Sequence, residues 1–399
     1  MKTLTKINIG FLALAAVALW FTSCSSEDVA SGTNQGNQES ILLLSFNTGK
    51  MGTRSTITNL TDDEKKINDM TIGIYSSDGQ RLRTVQKLTK AESEGEATPG
   101  SNKFYMDGSG KAVAKIVTTA ALTAGDQVLV AANTGSADFS KKGTADGFKS
   151  VEIDATTALT GTSAGTALTA ATLPKFGTSS GKLQAGSNKS EFSASDINLK
   201  NLVSKITLQS ISVDFAADGP YASATFEPQE MYLVSVPNKM QFSETAWINN
   251  PGSYFSGNEK GFLKVTLSTP SGEGASKVLS VNNPTFTGTA TDVLYTIPNS
   301  NTEANKTVLV IKGQFQGETK PVYYKLPLNV AGYTAGKPSG PVAAGTTAFQ
   351  IPSGKNIKCN ITIKTIGSTN PDAESGPLTA TLTVTVDPWD DLDQTTTFE

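Results

Sequence analysis

The chain is predicted to be all-β, mainly two consecutive β-sandwiches with few short helices. Three observations lead there. Beyond its first segment the chain is rich in Thr, Ser, Gly and Val. Its apolar residues recur at period two rather than at the 3.6 of a helix. Removing the first 54 of the 399 residues also leaves more chain than one hydrophobic core usually organises, about 250 to 300 residues.

Taken in order, residues 1–23 read as a signal peptide: Lys2 and Lys6 make a basic start, and residues 7–21 are an apolar run. That run falls short of the about 20 apolar residues that cross a bilayer comfortably. It ends in Phe21-Thr22-Ser23-Cys24, and small residues before a lone cysteine are similar to a bacterial lipobox. By that resemblance cleavage occurs before Cys24, whose thiol and new amine take acyl chains, palmitate among them. An ordinary secretory signal with an incidental cysteine is the alternative. Residues 25–40, "SSEDVASGTNQGNQES", offer almost nothing to bury and read as a flexible tether. Next comes "ILLLSF", a strand in which Ile41, Leu42, Leu43, Leu44 and Phe46 want burial. It runs into a loop of Gly49, Lys50, Gly52, Thr53, Arg54 and Ser55 that little packing holds and a protease could extend into its cleft. Residues 24–54 therefore form a tether plus first strand.

The runs that follow are "MTIGIYS" (70–76), "AVAKIVTTA" (112–120), "QVLVAANTG" (127–135), "SKITLQSISVDF" (204–215), "MYLVSVP" (231–237), "FLKVTLS" (262–268), "TVLVIKGQF" (307–315), "VYYKLPLNV" (322–330), "NIKCNITIKTI" ending at Ile366, and "LTATLTVTV" (378–386). Residues 136–200 are poor in large apolar side chains and read as loop, weak strand or a short helix. The boundary between an N-terminal sandwich, 55–197, and a C-terminal one, 198–399, is placed there. The last run is the cleanest. Leu378, Ala380, Leu382, Val384 and Val386 share one face and four threonines the other. Alternation alone fits an ordinary strand of the C-terminal sandwich as well as one that seeks a groove elsewhere. Asp387-Pro388-Trp389 breaks the pattern, and "DDLDQTTTFE" closes the chain.

Several chemistries are poorly supported. With no histidine, Ser-His-Asp and Cys-His catalysis and imidazole zinc sites are excluded. The stretch 177–183, "GTSSGKL", is one residue short of a phosphate loop and lacks the hydroxyl after lysine; it reads as a surface loop. "GSGK" at 108–111 lacks the third glycine of a dinucleotide fingerprint and reads as a turn between strands. Asp387, Asp390, Asp391 and Asp393 have neither the central glycine nor the closing glutamate of a calcium loop and read as a solvated strand end. No cofactor or metal is expected. Asn-x-Ser/Thr matches at Asn59, Asn188, Asn305 and Asn360 arise often by chance. With 33 basic and 36 acidic residues and no long basic run, nucleic acid is not an expected partner. The chain has two cysteines; if Cys24 is acylated, Cys359 has no disulfide partner and reads as a small buried strand residue.

The order of several stretches resembles the fimbrillins, major subunits of type V pili in Bacteroidales. They are the lipobox at Cys24, "DMTIGIYSSDG", "VLVAANTG", "NLVSKITLQSISVDF" followed by "YASATFEPQEMYLVSVPNK", and "IPSGKNIKCNITIKTIGSTNP" running into "LTATLTVTVDPW". The likeness is weakest over 136–195 and 240–300, and no single piece is a strict motif. It implies transthyretin-like sandwiches and a non-enzymatic, lipid-anchored precursor exported to the outer membrane and then built into a cell-surface fimbrium. It implies that an arginine-specific protease cuts after Arg54, or a lysine-specific one after Lys50, so that "ILLLSF" leaves its groove. The C-terminal segment of another copy, from about Leu378, then fills the groove. Implied partners are copies of the chain, other fimbrial subunits, the protease, and host or bacterial surface ligands, with the membrane touched only through the lipid on Cys24. A cuttable loop and an intact C-terminal strand together favour a stalk subunit over an anchor or tip.

Two other classes stay open. A monomeric surface lipoprotein binding glycan or protein ligands would keep its C-terminal strand docked in its own domain. A carboxylate-based hydrolase would need an aromatic-lined cleft, poorly supplied by tryptophans at 20, 247 and 389 alone.

Overall fold

A computed structural model describes residues 40–47, 61–97, 102–106, 111–159, 172–179, 183–186, 191–249, 251–269, 276–300, 303–328, 333–334, 337–338, 348–373 and 380–388. The fold is the all-β one that the period-two runs predict, with three short α-helices among the described residues.

The first half contains β1 (Ser40–Asn47), α1 (Asp62–Lys65), β2 (Asp69–Tyr75), β3 (Leu82–Lys90), β4 (Lys103–Met106), β5 (Lys111–Thr118) and β6 (Gln127–Ala132). There follow α2 (Ala145–Lys149), β7 (Glu152–Asp154), α3 (Ala155–Leu159), β8 (Lys175–Thr178), β9 (Gln184–Ala185), β10 (Glu191–Asn198) and β11 (Lys200–Asn201). All these strands except β7 form one sheet in the order β11-β8-β6-β2-β3-β4-β5-β1-β10-β9. Its ends meet: β11, continuing β10 after Leu199, pairs with β8, and Ser179 bridges Ile197. The sheet thus closes around an apolar interior.

Strand parity explains what fills that interior. Met70, Ile72 and Ile74 of β2 and Val128, Val130 and Ala132 of β6 join one buried cluster with Leu42, Leu44, Leu88, Phe104, Ala114, Ile116, Phe192, Ala194 and Ile197. The intervening Tyr75, Leu129 and Ala131 join a second cluster on the opposite face. There α2 supplies Phe148, whose ring lies so close over Gly73 that an added Cβ would stand 2.8 Å from it. β2 and β6 are therefore covered on both faces, which is why their sequences read as near-continuous apolar runs.

The second half contains β12 (Ser204–Val213), β13 (Phe226–Val234), β14 (Val236–Pro237), β15 (Lys239–Gln241), β16 (Tyr254–Phe255), β17 (Lys264–Thr266), β18 (Thr285–Thr287) and β19 (Val293–Thr296). β20 (Val308–Phe315), β21 (Val322–Pro327), β22 (Tyr333–Thr334), β23 (Lys337–Pro338), β24 (Lys355–Ile363) and β25 (Ala380–Pro388) complete it. Two main sheets, β18-β12-β24-β25 with β19 also on β12, and β17-β13-β20-β21, face each other as a sandwich. Ile206, Leu208 and Ile211 of β12 and Ile357, Cys359, Ile361 and Ile363 of β24 belong to the same buried cluster as Met231, Leu233, Leu309, Ile311 and Tyr324 of the other sheet.

Among the described residues strand pairing between the halves is limited to β7 with β15, yet the larger apolar cluster runs through both, with Phe139 meeting Phe148 at 4.5 Å and Phe242 at 5.3 Å between ring centroids. One expectation is corrected. The stretch 177–183 is not simply a surface loop: Gly177 and Thr178 end β8, Ser179 is bridged, and Leu183 is buried. A Cβ on Gly177 would stand 2.5 Å from the Asn198 carbonyl oxygen, so glycine here serves the close approach of two strands at the seam. "GSGK" precedes and enters β5, and its first three residues lie outside the described residues.

Candidate functional site

The first strand is an interior strand of its sheet, flanked by β5 and β10. β1 runs antiparallel to β5 from Ser40↔Thr118 to Asn47↔Lys111, and parallel to β10 from Ile41↔Glu191 to Asn47↔Asn198. Both of its backbone edges are therefore engaged. Across the interior face the register places Leu42 between Ile116 and Phe192, and Leu44 between Ala114 and Ala194. Leu42 is 0% and Leu44 1% exposed. At roughly 1.5 to 3 kcal/mol for each fully buried large side chain, these two leucines alone contribute several kcal/mol. Of the expected plug residues Ile41, Leu43 and Phe46 have described backbones, and their side chains lie outside the described residues. Removing β1 would leave the edges of β5 and β10 about 10 Å apart, two interstrand spacings, over an uncovered apolar floor.

Cys24, Lys50 and Arg54 lie outside the described residues. The chain re-enters at Thr61, where a capping box starts α1: Thr61 Oγ1 accepts from the Glu64 amide at 3.3 Å, and Glu64 Oε2 accepts from the Thr61 amide at 2.7 Å. Glu64 is fully buried. Its Oε1 accepts from Lys205 Nζ at 2.8 Å and from the Tyr295 hydroxyl at 2.6 Å, two neighbours across the β12–β19 pair. Burial and the adjacent Glu64 carboxylate push the Tyr295 hydroxyl's pKa far up, so it stays a donor. Lys175 Nζ donates to the Glu64 carbonyl and to Asn201. A second set of bonds follows. Asn133 accepts from the Asn68 amide at 2.8 Å and donates to the carbonyls of Lys66 at 3.0 Å and Leu173 at 2.8 Å. Asp69 accepts from the amide and hydroxyl of Thr134. These groups were not singled out in the sequence. A capping-box signature at Thr61 and Glu64, and the Asn-Thr-Gly after β6, were the available signals.

At the other end of the chain, β25 is an edge strand. It pairs antiparallel with β24 from Ile363↔Ala380 through Ile361↔Leu382 and Cys359↔Val384 to Ile357↔Val386 and Lys355↔Pro388. Ala380 is 2% and Leu382 8% exposed within the larger core cluster. The side chains of Val384 and Val386, all of Leu378, and the tail from 389 lie outside the described residues. Asp387 pairs with Asn356 in the ladder, while Asp390, Asp391 and Asp393 are not described.

Other reactive groups are placed structurally. Burial pushes the Cys359 thiol up to about 12, which leaves it a packing residue. Among the described residues no group of three or more Cys, Asp or Glu is arranged to hold a metal ion, and no helix is long and apolar enough to cross a membrane. Trp247 donates its indole N–H to the Ile351 carbonyl at 3.0 Å, and Asn360 is bonded within the sheet to Gln209 and Ser210.

No protein-family model matches the chain, and no curated protein matches it by sequence. Solved structures do match. A cell-adhesion candidate from Bacteroides eggerthii superposes with a TM-score of 0.56 at 16% identity, over 90% of this chain and 98% of that one. Another from Parabacteroides distasonis gives 0.55 at 15%, over 89% and 98%. A fimbrilin from Porphyromonas gingivalis gives 0.52 at 14%, over 90% and 100%. The chain is thus similar in fold, over nearly its whole length, to fimbrial and cell-adhesion proteins of Bacteroidales.

Proposed function

We propose that the chain is a non-enzymatic stalk subunit that polymerises into cell-surface fimbriae by protease-triggered strand exchange, supporting adhesion. The precursor is anchored to the outer membrane through acylated Cys24 and carries two sandwiches, 55–197 and 198–399. A cut after Arg54, or after Lys50, frees β1, and the C-terminal segment of another copy from about Leu378 enters the slot between β5 and β10. The observation that carries this reading is the placement of β1. A strand with buried leucines and both edges paired is linked to the rest of the chain by a segment, 48–60, that holds both basic residues. Such a strand protects two sheet edges that would otherwise invite aggregation, and the slot it fills suits a strand donated by another chain.

A second reading, a surface lipoprotein or an accessory subunit that does not donate, is favoured by the docking of β25 on β24 along its whole length. On the first reading β25 must leave β24 before it donates.

The test is to treat the purified precursor with an arginine-specific protease, read the new N-terminus by mass spectrometry and run the product unheated on a denaturing gel. A single cut after Arg54 followed by a ladder of multimers is expected. A clean cut that leaves only monomer points to the second reading, and scattered cutting removes the processing model.

A further inference from the structure

After Lys50 and Arg54, the next basic residues along the chain are Lys65 and Lys66. Resting on the reading that processing falls before Thr61, we infer that the buried Glu64 clamp sets the downstream limit of that processing. Against a lysine-specific protease, the alternative that cuts after Lys50, it closes the bonds after Lys65 and Lys66 and so keeps residues 61–66 on the subunit.

Hydrolysis adds one water across a peptide bond and leaves a carboxylate and an amine. The protease can do this only when several residues on each side of the bond lie extended in its cleft. The bond after Lys65 sits between Glu64 and Ile67, both fully buried. The bond after Lys66 leads into Ile67 and then Asn68, whose amide is held by Asn133. Lys66 itself is exposed and pairs with Asp63, so its side chain is reachable and only the backbone is withheld. Opening this turn separates the fully buried Glu64 carboxylate from Lys205 and Tyr295.

The clamp also has a positional consequence. Glu64 lies one helical turn beyond the segment that is cut, yet its partners are on β12 and β19 of the second half. The chain from Thr61 to Glu64 is therefore tied to the body of the subunit, not to the strand that leaves.

The experiment is a timed digestion of the purified intact precursor with a lysine-specific and, separately, an arginine-specific protease, with each new N-terminus read by mass spectrometry. In the wild-type chain the lysine-specific enzyme should cut after Lys50, with cuts after Lys65 and Lys66 slower by about a hundredfold or more, because breaking a buried pair is strongly unfavourable and cleavage tracks the open population. Comparable rates at Lys50 and Lys66 overturn the inference without variants. Glu64→Ala should add products beginning at Lys66 and Ile67. Glu64→Ala with Lys205→Met, which removes both charges of the buried pair, should recover the thermal midpoint in large part while still showing those products. If this double variant folds and its cut pattern matches wild type, the clamp does not set the limit. Whether the cut chain forms multimers is read on the same samples by unheated gel, so failure of strand exchange is distinguishable from failure of the clamp.

Discussion

At the scale of single residues, Asn133 shows how a loop residue can decide a chain path. Its φ of 54° lies in the left-handed region, which asparagine tolerates better than other residues with a Cβ. From there one side chain accepts one bond and donates two, tying the segment after α1 to the segment before β8. Asn133→Ala leaves an amide and two carbonyls without that partner and keeps the strained backbone. Unfolding in urea should show a loss of about 2 to 4 kcal/mol, given about 1 to 3 for a buried group left unpaired, because the bond to Leu173 is buried and the other two are only partly so. A loss under about half a kcal/mol would mean that water replaces the side chain. In the sequence this residue was visible only as part of "VLVAANTG", an end of a strand. Its role depends on segments 65 and 40 positions away, which no local pattern encodes. Cys359 is the opposite case: a small residue inside an alternating run is legible as a buried one, and it is buried.

At the scale of elements, legibility followed the period of the apolar pattern. β2, β6, β12, β20 and β24 were readable because alternation or continuous burial runs through each of them. β10 was not readable. Its register with β1 shifts between Leu44↔Ala194 and Phe46↔Ile197, so its buried positions Phe192, Ala194 and Ile197 are two and then three residues apart. A bulge of this kind breaks the period-two signature. β3 was missed for a different reason, since most of it is only half-buried and its composition is polar. The consequence is that one wall of the β1 slot was visible as the run 112–120 and the other was hidden. β1 itself yields a prediction. Leu44→Ala opens a cavity between Ala114 and Ala194, neighbours too small to collapse into it. The expected cost is about 2 to 5 kcal/mol. After proteolysis within residues 48–60, size-exclusion chromatography with mass detection should show the variant's N-terminal fragment leaving faster than that of the wild type. Equal retention would indicate that backbone pairing to β5 and β10, rather than the leucines, holds the strand.

At the scale of the whole molecule, the proposed reading makes β1 and β25 compete for roles that one chain cannot hold together. While β1 is in place the slot is full, and while β25 lies on β24 the donor is occupied by its own sheet. Head-to-tail exchange relieves both conditions and does not close on itself, so it builds a fibre rather than a ring or dimer. Two variants separate its halves. Lys50→Ala with Arg54→Ala should give a chain that is exported and folded but stays monomeric, because β1 keeps its covalent link and refills the slot faster than any second copy can enter it. Truncation before Leu378 should leave a chain that is cut and loses β1 yet cannot extend a fibre, because the slot is open and no donor exists. It also uncovers the β24 edge, so its folding is checked by the protease resistance of β12 and β24. Mixing the two chains is then the sharper measurement. The truncated, processed chain has an empty slot, and the uncut chain has an intact β25. Strand donation predicts a heterodimer that survives an unheated denaturing gel and stops at two subunits. Longer ladders from that mixture would place the donor outside the segment from Leu378, and an absence of heterodimer would place the barrier at the release of β25 from β24.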